Sequence, residues 1–202
     1  MPDFRTFDPC TLLAPVPAVM VSCACPEKDE HPNIITIAWA GTVNSDPPMV
    51  SVSIRKNRYS HALIKESGEF VVNLVDEKRC KATDFCGVRS GKDVDKWAHC
   101  GLTPMKAIGM EYAPAIAECP AYLACKVRQV IELGSHDMFI GEVVGVQVRD
   151  DLFSEDGSLH LEKSGLVAYN HGVYQRTAEV MGFFGYSVAR PEVLQRRMKQ
   201  YE

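Results

Sequence analysis

Apolar and hydroxyl residues alternate most cleanly at Met49-Val50-Ser51-Val52-Ser53-Ile54, a period of two that predicts a strand with one buried face and Ser51 and Ser53 on the other. Upstream, Asn33-Ile34-Ile35-Thr36-Ile37-Ala38-Trp39 is rich in β-branched residues and predicts a second strand. It ends in Ala40-Gly41-Thr42, read as a small-residue loop where a ligand can approach the backbone. Ser45-Asp46-Pro47-Pro48 then forces a turn, because proline fixes φ and restricts its predecessor. Downstream, Tyr59 to Gly68 suits a short helix with Ser60 near its N-cap and Gly68 as its stop. Further strands are predicted at Pro15 to Cys25, Phe70 to Val75, Tyr122 to Ile131 and Phe139 to Val148, with Pro26 to His31 as a charged hairpin loop. A helix is expected between Glu77 and Cys86. The polar, Gly-punctuated segment from Gly87 to Pro114 reads as a long functional excursion. Pro191-Glu192 opens a last helix with Leu194, Met198 and Tyr201 along one side. Many strands with short links predict a mainly β chain, an antiparallel barrel with peripheral helices, in a single domain over 1–202.

Composition narrows the function. A formal charge of −4 over 202 residues, with basic residues only in local groups, argues against nucleic acid and for a small anion as ligand. Apolar runs fall short of the ~20 residues that span a bilayer, so the expectation is a cytoplasmic protein with no membrane partner. No Gly-x-Gly-x-x-Gly, Walker A or nucleophile-elbow sequence occurs, which disfavours a Rossmann domain, a P-loop enzyme and an α/β-hydrolase. The eight cysteines include no Cys-x-x-Cys, and Cys10, Cys23, Cys25, Cys80, Cys119 and Cys125 read as small buried hydrophobes. Cys80, Cys86, His99 and Cys100 match no standard metal spacing, so no metal is expected.

The chemistry-bearing cluster is Arg55, Lys56, Arg58 and Ser60. Three cations, a hydroxyl and a helix N-terminus make a phosphate site, the alternative being a solvated basic turn.

The strand, small-residue loop, Ser-Asp-Pro-Pro turn, second strand and basic loop, followed by Glu66-Ser67-Gly68-Glu69-Phe70-Val71-Val72-Asn73, resemble the core signature of the flavin reductase-like family, FMN-binding split barrels that include flavoredoxin. Phe85-Cys86-Gly87, Ser90-Gly91, His136 with Phe139-Ile140-Gly141-Glu142-Val143-Val144, and Phe184-Gly185-Tyr186-Ser187 continue the resemblance over roughly residues 10 to 190. It implies a Greek-key split barrel that binds FMN, as a homodimer with the flavin near the subunit interface, and accepts hydride from NADH or NADPH. Electrons would pass to free flavin or a redox protein partner. A flavoredoxin-like electron carrier with permanently bound FMN is the alternative, and a pyridoxamine phosphate oxidase-like relative a more distant one. By the same resemblance Arg55, Lys56, Arg58 and Ser60 take the FMN phosphate. Thr36, Trp39, Ala40, Gly41, Thr42 and Ser53 follow the isoalloxazine and ribityl chain, and Asn73 is either a ligand contact or a barrel-end cap. His136 sits where these reductases carry Gly-Asp-His, with Ser135 here in place of the aspartate. His171 is a second candidate beside the flavin face.

Overall fold

In the computed structural model, which describes residues 2–26, 31–177 and 179–201, the strand-forming runs give β1 (Val16–Pro17), β2 (Val19–Cys23), β3 (Asn33–Ile37), β4 (Ala40–Ser45), β5 (Pro48–Arg55) and β6 (Glu69–Leu74). After them come β7 (Pro104–Met105), β8 (Ala115–Ile116), β9 (Ala121–Glu132), β10 (His136–Val148), β11 (Val167–Asn170) and β12 (Val173–Arg176). The helices are α1 (Tyr59–Ser67), α2 (Cys80–Val88), α3 (Lys96–Cys100) and α4 (Pro191–Met198). Residues 27–30 of the expected hairpin loop lie outside the described residues.

Seven strands form one antiparallel sheet in the order β3-β2-β6-β9-β10-β5-β4. β3 and β4 stand at opposite edges of that order yet are joined by only Ala38 and Trp39. Two residues cannot cross a flat seven-stranded sheet, so the sheet rolls until its edges meet. The Ser53 amide donates to the Trp39 carbonyl at 3.0 Å, which carries the β4–β5 pairing into the two-residue link. This is the mainly β barrel that the sequence pattern predicts. Against β9, β10 has register shifts between Ile140 and Gly141 and between Val143 and Gly145, irregularities that bend a strand. At Gly141 a Cβ would stand 2.5 Å from the Phe70 ring, so the core needs glycine there, and an added methyl costs about 1–3 kcal/mol.

β2 explains the layering. Val19, Val21 and Cys23 point into the barrel with Ile35, Ile37, Val52, Ile54, Phe70 and Phe139. Met20 points the other way, into a second core with Ile34, Cys86, Trp97, Leu102 and Ile116. The strand is therefore buried on both faces and shows no polar alternation. The Gly87 to Pro114 excursion supplies this outer cover, Trp97 and Leu102 in the second core and Ala107 and Met110 in a third, so much of it is structural.

Three local expectations differ. Ala40-Gly41-Thr42 opens β4 instead of forming a loop, because β5 pairs with it directly. Ser60 is the second residue of α1 and fully buried. Arg58 takes the N-cap position and Gly68 the left-handed C-cap. Of the cysteines expected to be buried, Cys10 is exposed and Cys80 half-buried.

Candidate functional site

β3 is the floor of a continuous trough. One end is a compartment of about 280 Å³ lined by Thr36, Ala38, Trp39, Ser53, Arg55, Arg58, Gly87 and His136, among others. Through Ile35 and Arg58 it joins a smaller one of about 120 Å³, which includes Asn33, Asn57, Tyr59, Ser60, Arg89, Ser90, Gly91 and Lys96. The six steps from Asn33 to Trp39 at about 3.3 Å each span roughly 20 Å, so the trough is long and narrow.

The wide end is aromatic. Trp39 is 44% exposed, and its ring lies 4.7 Å from that of His136 at an angle of 45°. The pairing of β10 with β5 sets Arg55 opposite His136. Burial, and then the charge of Arg55, push the His136 imidazole below its ordinary pKa, which keeps it neutral near pH 7. Ser135 Oγ lies 2.9 Å from its Nδ1.

The narrow end is cationic. The Arg58 guanidinium donates to the Gly87 carbonyl and so links the β5–α1 loop to the end of α2. Arg89, Ser90 and the first turn of α1 complete the wall. Asn33 Nδ2 donates to Ser60 Oγ at 2.8 Å, and a Cβ on Gly91 would stand 2.1 Å from Asn33 Oδ1, so glycine lets this loop close over β3. The Lys96 amine, 2% exposed, donates to the Ile34 carbonyl at 2.6 Å and the Cys86 carbonyl at 2.8 Å.

Beyond Trp39 lies a third compartment of about 700 Å³, sharing Thr36, Ala38, Trp39 and Gly87 with the ring end and walled by Leu12, Leu13, Tyr169, His171 and Tyr174. His171 holds a left-handed backbone, φ 44°. Tyr174 is pushed up to about 12, by burial first and then by Asp84, 3.4 Å away.

Of the residues the sequence marked, Thr36, Trp39, Ser53, Arg55, Arg58, Ser60 and His136 thus meet along the trough, and His171 stands at its mouth. Three groups do not. Lys56 lies in the turn just past β5, lines neither compartment of the trough and pairs with Glu132 at 3.0 Å and Asp137 at 3.3 Å. Asn73 is fully buried between strands. Its Nδ2 donates to the Met20 carbonyl at 3.0 Å and Ser22 Oγ at 2.9 Å, and its Oδ1 accepts from the Ile116 amide at 2.8 Å, so it is a structural bracket. Ala40, Gly41 and Thr42 run away along β4 and line none of these compartments. Arg89, Ser90 and Lys96 line the narrow end and were not among the residues the sequence marked. The nearest sequence signal was the Ser90-Gly91 pair. Among the described residues no cluster of His, Cys, Asp or Glu is arranged to hold a metal, and no helix is long and apolar enough to cross a membrane.

Comparison with known proteins gives the site its context. Residues 13–178 match the family model described as the flavin reductase like domain. The chain is similar to the solved flavoredoxin of Desulfovibrio vulgaris (Miyazaki F), with 29% identity and a TM-score of 0.84 over 93% of this chain and 100% of that one. An FMN-binding protein from Thermus thermophilus, solved with bound 1-cyclohex-2-enone, superposes with a TM-score of 0.72 at 25% identity over 90% of this chain and 98% of that one. The reductase component of a 4-nitrophenol 4-monooxygenase/4-nitrocatechol 2-monooxygenase from Rhodococcus opacus is 30% identical over 120 residues, 59% of this chain and 60% of that one. The chain spans 66% and 43% of the first two curated relatives it matches.

Proposed function

The chain belongs to the flavin reductase-like family, and from that premise we propose that it binds FMN in the β3 trough and works as an NAD(P)H-dependent flavin oxidoreductase. The observation that carries this reading is the trough itself, aromatic and half-open at Trp39 and His136, cationic and narrow at Arg58 and Arg89. That donor set suits a planar ring at one end and a phosphate monoester at the other. Bound FMN would supply a two-electron acceptor for hydride from a nicotinamide.

The chain's own residues bind, orient and polarise. Arg58 and Arg89, with the first turn of α1, hold the phosphate, and buried Ser60 keeps Asn33 in place behind them. Trp39 and His136 fix the plane of the ring. Arg55 and Arg58, both lining the ring end, favour negative charge gained there on reduction. With Ser135 donating to Nδ1, the His136 proton sits on Nε2 as a neutral donor. The third compartment, beside His171 and Tyr174, is the approach for the nicotinamide. A second copy of the chain is the proposed cover for apolar residues left exposed at both ends, Phe4, Phe7 and Leu13, and Met181, Phe184 and Val188.

The second reading is an electron carrier that keeps its FMN and passes electrons to a redox protein, supported by the likeness to flavoredoxin. The two separate on a desalting column run after loading with FMN. A reductase that treats flavin as a passing substrate loses its colour there and oxidises NADH faster as FMN is added back. A carrier stays yellow and gains little. A protein that takes up no flavin at all would overturn both.

A further inference from the structure

The phosphate end of the trough holds one cation that the sequence pattern hid. Lys96 reaches the 120 Å³ compartment from α3, beneath Asn33, Ser60 and Gly91. Its amine has two fixed acceptors, the Ile34 and Cys86 carbonyls, and no carboxylate pairs with it among the described residues. An ammonium has three donors, so these two acceptors leave one N–H over, on a residue that lines the compartment. Nearby Arg58 repels the charged form. A buried ammonium and a guanidinium that line one compartment, with no carboxylate paired to the ammonium among the described residues, suit an anion that arrives from outside.

We propose that Lys96 is the third cation of the phosphate site and holds its proton more tightly once phosphate enters, so that in mildly alkaline solution FMN binding takes up a proton at this amine. The inference rests on the FMN reading above. Without ligand, burial first, opposed by Cys86 and reinforced by Arg58, lowers the Lys96 ammonium to about 8. A dianionic phosphate beside it reverses the balance and raises it again.

The other titratable groups near Lys96 are thiols, all shifted upward. Cys23 on β2 and Cys86 on α2 are both pushed up to about 12, chiefly by burial, and Cys100 on α3 is raised. Asp95, at the start of α3, spends its carboxylate on the Trp97 and Ala98 amides. The phosphate's own second ionisation, near pH 6, is complete by about pH 7.5.

The sign follows from linkage. The amine binds its proton more tightly in the complex, so the FMN affinity is full below about pH 8 and falls up to about tenfold per pH unit above it. Riboflavin lacks the phosphate, so its affinity stays level over the same range. It also corrects for ionisation of the flavin ring. The test is equilibrium titration of flavin fluorescence with FMN and with riboflavin between about pH 7.5 and 9.5. Calorimetry in buffers of different ionisation enthalpy accompanies it, to count protons.

The expected result is an FMN-specific loss of affinity with rising pH and an uptake approaching one proton near pH 9. Lys96→Arg, a permanent cation, should flatten the pH dependence, and Lys96→Met should weaken FMN at pH 7.5 but leave riboflavin alone. FMN binding that is level with pH, with no proton uptake, overturns the proposal and leaves the flavin assignment standing. Failure to bind FMN at any pH overturns both. The wild-type titration decides even where a Lys96 variant does not fold.

Discussion

Removing Arg58 separates the phosphate end from the ring end. The residue lines both compartments, and its guanidinium already holds the Gly87 carbonyl, so Arg58→Ala has two effects. The first is loss of a charge-assisted hydrogen bond to phosphate, about 1.5–3 kcal/mol, or roughly ten- to a hundredfold in the dissociation constant. The second is release of the Gly87 carbonyl, which loosens the end of α2 against β3 and weakens any flavin, phosphorylated or not. The ratio of FMN to riboflavin affinity removes the second effect and keeps the first. Fluorescence titration of wild type and variant with both ligands should show that ratio falling by about ten- to a hundredfold. Raised salt should erode the wild-type ratio, since the pair it screens lies partly open to water. An Arg58→Ala protein that loses affinity for FMN and riboflavin by the same factor would refute the phosphate assignment.

Three other outcomes follow from the same geometry. His136→Ala should slow flavin reduction by NADH in stopped flow more than it weakens FMN binding, and an unchanged reduction rate would remove His136 from the reaction. Light scattering at micromolar concentration should give twice the 22.4 kDa chain mass, and a monomer would leave the apolar residues at both ends without the proposed cover. Stability should fall as pH rises above about 9. Cys23, Cys86, Cys119 and Cys125 are pushed, first by burial, from 9.0 to about 12, so the native state keeps protons that the unfolded chain gives up. Stability present below pH 9 is thus lost toward pH 12, by up to about 1.4 kcal/mol per pH unit and thiol. Lys96 acts in the opposite sense over about pH 8–10.5, as a single group. A urea midpoint unchanged between about pH 8.5 and 10.5 would contradict the burial of these thiols.

Much of the architecture is readable in the sequence where one strand face meets solvent. β5 shows its alternation openly, and Ser53 and Arg55 follow from it as trough residues. Lys56 lies just past the end of that strand, where the alternation no longer applies, and a run of neighbouring cations reads as one cluster. Asn73 was ambiguous because a polar residue in an apolar strand marks either a ligand or a buried bracket, and only the positions of Met20, Ser22 and Ile116 decide. Lys96 was hidden for a related reason. It sits among Lys92, Asp93 and Asp95 in a stretch that reads as solvated, and its burial depends on Trp97 packing beneath it into a core built by β2 and β3. Contacts of that kind join residues more than sixty positions apart, and no local pattern encodes them.

The central claim is that the trough presents FMN to a nicotinamide, and anaerobic mixing of the FMN-loaded protein with NADH or NADPH tests it most directly. The account predicts that the visible flavin band bleaches at a rate that saturates with nicotinamide and returns on admitting air. A flavin that stays bound and oxidised under excess of both nicotinamides would contradict it.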